Sequence, residues 1–127
     1  MTSLSTAKPI MFIITRDRAA SEAFYGDTLG LTRAPGDDFA AVYDLGGAAL
    51  LRVTEVPDFV AGAHPALGWE VPDIVDAMQT LVDKGVAPTI YEGYCQDALG
   101  IWTSPDGAAK VAWFNDPDGN VLSLTQC

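Results

Sequence analysis

Ala112 to Gln126, "AWFNDPDGNVLSLTQ", decides how the rest of the chain is read. An apolar run, a turn and a second, alternating run make the pattern of a β-hairpin. Asp116-Pro117-Asp118-Gly119 supplies the turn. Proline presets φ at the first central position, and Gly119 can take the left-handed conformation that a three-residue bulged loop needs. Beyond it, Val121, Ser123 and Thr125 share one face, and Leu122 and Leu124 the other. Ser123 is a small hydroxyl in the middle of its strand.

The same signature occurs earlier. "FAAVYDLGGAALLRV", Phe39 to Val53, is again strand, glycine turn, strand, and setting Gly47 against Gly119 pairs Leu51 with Ser123. Ahead of each hairpin lies an apolar run ending in aspartate, "KPIMFIITRD" (Lys8 to Asp17) and "ALGWEVPD" (Ala66 to Asp73). Asp17 and Asp73 are placed to cap a helix by accepting from its first free amides. The first helix carries the stripe Ala20, Ala23, Phe24 and Leu29 before Gly30. The second carries Ile74, Ala77, Met78, Leu81 and Val82, with Gly85 as its stop. Short strands are expected after each helix, near "LTRAP" and "VAPTIYE". The order is βαβββ twice, module one over about 8–56 and module two over about 64–127, within a single domain 1–127. Tyr91 to Gly107, "YEGYCQDALGIWTSPDG", has no counterpart in the first module. An excursion of that kind rich in Tyr and Trp marks a functional or edge-covering segment.

Bulk properties narrow the function classes. Of 127 residues, 49% are hydrophobic and 19% charged, which suits one packed domain. Seven basic against seventeen acidic residues give a net charge of −10, an argument against nucleic acid and anionic membranes, whose phosphates require Lys and Arg. No apolar run approaches the roughly 20 residues of a membrane span. The lead "MTSLSTAKP" lacks the basic and apolar regions of a secretory signal. Two cysteines, Cys95 and Cys127, make no disulfide framework, so a cytoplasmic protein is expected.

"TRDRAASEAFYGDTLGL", "GWEVPDIVDAMQTLVDKGV" and "WFNDPDGNVLSL" together resemble the first helix, second helix and closing hairpin of the vicinal oxygen chelate superfamily. Its members include glyoxalase I, extradiol dioxygenases and the bleomycin and fosfomycin resistance proteins. The resemblance implies an α+β fold in which two βαβββ modules curl around a shared cleft, and a homodimer. It also implies a divalent metal held by His, Gln or Glu on four strands. Carried across, those positions fall at Ile10, Leu51, Ala66 and Ser123. Two aliphatic chains, a methyl and a neutral hydroxyl cannot replace a cation's lost hydration. No metal and no other cofactor is therefore expected. His64, two positions before Ala66, is the one residue that could argue otherwise, and Pro65 interrupts its strand.

On the implied cleft side lie Ala66, Gly68 and Glu70 of one strand and Ile10, Phe12 and Ile14 of another. Glu70 could hold a cationic group or act as a base. Tyr91, Tyr94, Trp102 and Trp113 could stack on a flat ligand, with Asp97 among them. Cys95 has no adjacent base to activate it. The candidate ligand residues are thus Glu70, Tyr94, Asp97, Trp102, Trp113, Ser123 and Phe12, for a small molecule of cationic or aromatic character. Three function classes stay open: metal-independent binding that sequesters a drug or metabolite; a lyase, isomerase or dioxygenase-type enzyme with a divergent site; and a structural or interaction module with no ligand. No catalytic residue is assigned.

Overall fold

The computed structural model describes residues 3–127. Met1 and Thr2, with which the polar lead begins, lie outside the described residues. The chain divides into two compact units, one running through Val60 and the other from Ala61 to Cys127. No helix of the described residues is long and apolar enough to cross a membrane.

The first unit contains β1 (Ile10–Thr15), α1 (Arg18–Glu22), a π-helical continuation (Ala23–Thr28), β2 (Thr32–Ala34), β3 (Ala40–Leu45) and β4 (Ala49–Glu55). Its sheet runs β1-β4-β3-β2, with β1 parallel to β4 and the other pairs antiparallel. The second unit repeats the arrangement with β5 (Pro65–Glu70), α2 (Ile74–Asp83), β6 (Trp102–Thr103), β7 (Lys110–Asn115) and β8 (Val121–Gln126), in the order β5-β8-β7-β6. This is the α+β architecture of two βαβββ modules.

Both expected caps are present. Asp17 accepts from the Ala20 amide at 3.2 Å and Asp73 from the Asp76 amide at 3.1 Å. Gln126 of β8 adds an acceptor for the Ile74 amide at 2.8 Å, tying the first turn of α2 to the sheet. Gly85 ends α2 with φ +94°, and the Val86 amide returns to the Leu81 carbonyl. Ile74, Met78 and Leu81 are the buried stripe of α2, which packs on β7 and β8, where Ala112, Phe114, Leu122 and Leu124 are buried.

Three sequence expectations are corrected. The first helix does not bury Ala20, Ala23, Phe24 and Leu29; its buried residues are Ser21 and Tyr25. The helix widens at Ala23, where the Leu29 amide reaches five residues back to the Phe24 carbonyl. That register turns Tyr25 inward to within 6.3 Å of the Tyr43 ring. Ser21 Oγ donates to buried Thr15 Oγ1, so a polar pair stands where a fully apolar stripe was expected. In the second unit, "VAPTIYE" forms a single bridge, Pro88 to Phe114, and no strand. The edge strand comes later, inside the added segment, as β6.

The third correction concerns Leu51. The Asp116 amide donates to the Asn120 carbonyl, closing a three-residue loop, Pro117 to Gly119, with Gly119 at φ +86°. The first unit's loop is also three residues, 46–48, between paired Leu45 and Ala49. Superposing the loops places Arg52, not Leu51, at the position of Ser123. Burial agrees: Leu51 and Leu122 are both fully buried on the helix side, whereas Arg52 and Ser123 are partly exposed on the opposite side. Pairing agrees too, since Arg52 lies beside Phe12 and Ser123 beside Gly68.

Candidate functional site

The face of the second sheet turned from α2 carries the residues of interest. Alternation puts Gly68 and Glu70 of β5, Ser123 and Thr125 of β8, Val111 and Trp113 of β7, and Trp102 of β6 on that side. Leu67 is buried against the helix while Ala66, Gly68 and Glu70 are exposed, although a bulge between Pro65 and Leu67 breaks the strand's start. Across the central pairs, Ser123 has Gly68 on one side and Trp113 on the other. A methyl added at residue 68 would stand 2.5 Å from Ser123 Oγ, so the serine hydroxyl lies directly over the glycine.

The added segment folds over the β7 side of this face. Tyr91 meets Trp113 edge-on, with ring centroids 5.3 Å apart, and Tyr94 lies 6.2 Å from Trp113 and 6.1 Å from Tyr91. Two of these contacts are edge-to-face and the Tyr94–Trp113 pair is tilted, favourable arrangements that hold the three rings as one cluster. Tyr94 keeps 53% of its surface exposed, so the cluster presents an aromatic wall to solvent.

Gln96 fixes the segment. Its Oε1 accepts from the Tyr91 amide, and its Nε2 donates to the carbonyls of Thr89 and Gly100. The Thr89 amide in turn donates to the Trp113 carbonyl at 2.8 Å. Sequence reading missed Gln96, since a lone glutamine in a loop carries no pattern. Asp97 is also structural here: its Oδ1 accepts from the Leu99 and Ile101 amides, each at 2.9 Å, which turns that oxygen into its own loop.

The other candidates are more dispersed. Trp102 is half-buried in register with Val111 and stands outside the three-ring cluster. Glu70 is exposed at the end of β5 beside Thr125. His64 is exposed ahead of the bulge, and Phe12 is 61% exposed on the first sheet.

The donor set does not fit a divalent metal. Ile10, Ala66 and Ser123 offer at most one neutral hydroxyl, Leu51 is sealed in the core, and the residue at the corresponding sheet position is Arg52. Arg52 is a cation already paired with Asp37 at 3.2 Å, and it would repel a second positive charge. Among the described residues, no three His, Cys, Asp or Glu side chains group together as a metal site.

No protein-family model matches the chain, and no curated protein matches it. Solved structures do match. A member of the glyoxalase/bleomycin resistance protein/dioxygenase superfamily from Sphaerobacter thermophilus is 21% identical with a TM-score of 0.73, covering 96% of this chain and 98% of its own. A glyoxalase/bleomycin resistance protein/dioxygenase from Alicyclobacillus acidocaldarius is 16% identical at TM-score 0.72, with 95% and 91% covered. A lactoylglutathione lyase from Agrobacterium tumefaciens is 15% identical at TM-score 0.71, with 95% and 93% covered. The chain has the fold of the glyoxalase/bleomycin resistance protein/dioxygenase superfamily. A fold alone does not carry a reaction.

Proposed function

We propose that this protein binds a small organic molecule on the open face of its second sheet and does so without a metal. The observation that carries the reading is the Tyr91–Tyr94–Trp113 wall beside Ser123 and Gly68. Aromatic faces favour flat or cationic ligands, and Glu70 at the end of the same face adds a carboxylate that selects for positive charge. Ser123 contributes a single hydroxyl for orientation, and Trp102 extends the apolar edge. Sequestration of a drug or metabolite is the activity that such an apolar, weakly ionisable surface serves best.

We propose also that the protein acts as a cytoplasmic homodimer. Two free, exposed cysteines suit a reducing compartment, and Phe12, Phe39 and Val60 are large apolar side chains left exposed.

Incubation with a metabolite extract, gel filtration and mass spectrometry would identify what is captured. Titration of that compound, followed by tryptophan fluorescence, should show Trp113→Ala weakening binding by about 1–3 kcal/mol, the loss expected for an aromatic anchor. Val75→Ala, on the exposed side of α2, should leave it unchanged. Equal affinity in the Trp113 variant would remove the aromatic wall from the site.

A further inference from the structure

A concavity of about 430 Å³ opens in the first unit, between the π-helical turn and the edge strand β2. Its lining includes Glu22, Gly26, Asp27, Leu31, Arg33 and Tyr43. That volume is in the range of small-molecule sites. It lies beside the helix, and none of its residues belongs to the aromatic face described above.

Gly26 is the informative residue. Glycine inside a helix costs stability relative to alanine, so its presence calls for a reason. Backbone conformation gives none, because the left-handed glycines of the chain do not include Gly26. Packing gives none either. A β-carbon at residue 26 would meet only Tyr43 Oη at 3.7 Å and Tyr43 Cε1 at 3.8 Å, both ordinary contacts. What a side chain there would occupy is the concavity itself. The π-helical register at this point is a second departure from regular helix, of a kind that recurs at functional sites.

The charges around the opening are of both signs. Arg33 is held over the Tyr43 ring, 5.5 Å from its centroid, with one guanidinium nitrogen 3.3 Å from Glu22. Glu22 is occupied on both oxygens, by Arg18 at 2.7 Å and by Arg33. Most of the five N–H donors of Arg33 remain to be used. Asp27 is exposed, and its carboxylate has no hydrogen-bond or ion-pair partner among the described residues. A purely anionic ligand would face two carboxylates, and a purely cationic one would face the guanidinium. Leu31 adds an apolar side chain to the lining.

We propose that this concavity binds a small zwitterion, an α-amino acid with an aliphatic side chain, its ammonium on Asp27 and its carboxylate on Arg33. Charge-assisted hydrogen bonds at both ends would fix orientation, and Gly26 leaves room for the backbone atoms of the ligand.

The test is an NMR titration of the ¹⁵N-labelled full chain with L-leucine. Two controls carry the same branched tail and one charge each, 3-methylbutylamine and 4-methylpentanoate. L-leucine should move the amides of Ala23, Gly26, Asp27 and Arg33 saturably, with each control weaker by at least about tenfold, since each lacks one charge-assisted contact. Gly26→Ala should lose at least about tenfold in affinity without a fall in Tm, because the methyl fills the site while favouring the helix. Asp27→Asn, an exposed change that leaves the fold intact, should lose a similar factor. No saturable shift with L-leucine would overturn the proposal. So would equal binding of the amine, or unaltered affinity in either variant.

Discussion

Gly68 and Ser123 stand side by side in the β5–β8 pair, close enough that one methyl decides the local geometry. In Gly68→Ala the new carbon would lie 2.5 Å from Ser123 Oγ and 3.2 Å from the Ser123 carbonyl oxygen. The hydroxyl can rotate away but the carbonyl cannot, so the variant should lose about 1–3 kcal/mol of stability in urea denaturation, the usual cost of overpacking. A Gly68→Ala protein as stable as wild type would show that Ser123 is not held over the glycine. Glu22 supplies a pH-dependent residue. The hydrogen bond from Arg18 draws its carboxyl below the ordinary value of 4.5, against a smaller opposing effect of burial. A carboxyl whose pKa is lower folded than unfolded stabilises above its unfolded pKa and loses that contribution as pH falls through the folded value. Wild type should therefore exceed Glu22→Gln in Tm at neutral pH, and the gap should close on acidification below 4.5. Solvent screening of this partly exposed pair keeps the effect within about 1 kcal/mol. At this scale the sequence was legible where alternation was heeded and misleading where two glycines were superposed. In "LLRVT", Arg52 and Thr54 are the polar members and Leu51 and Val53 the apolar ones, a pattern that puts Leu51 inside.

The caps, α2 and its stop, and both hairpins follow from local chemistry, and each is present in the structure. The segment 91–107 was legible only as an addition. Its fold depends on Gln96 reaching three separated backbone groups and on Gly100 passing close to Pro88, neither of which leaves a periodic trace. Gly100 has φ +78°, and a β-carbon there would sit 2.6 Å from Pro88 Cβ. Gly100→Ala combines a left-handed backbone with a direct clash, and should cost about 1–3 kcal/mol and loosen Tyr91 and Tyr94 from Trp113. Thermal denaturation and the tryptophan emission spectrum would report the two effects. Unchanged values would mean that the segment does not depend on this turn. The first helix was the harder element. A switch to π register depends on where Tyr25 finds its partner Tyr43 in the sheet, and that is tertiary information.

At the scale of the molecule, the repeated βαβββ order was readable because each module is built from local signals in the same sequence, whereas the ligand was not, because the residues of the open faces share no motif. Light scattering at micromolar concentration should give the mass of a dimer; a monomer mass across that range would contradict the proposed assembly. The binding proposed on the aromatic face needs no metal. Native mass spectrometry of untagged protein dialysed against EDTA, wild type beside Trp113→Ala, checks this. The prediction is a small organic adduct that wild type retains after chelation and the variant loses. Near-stoichiometric divalent metal whose removal also strips the adduct, or an adduct carried equally by both proteins, would contradict it.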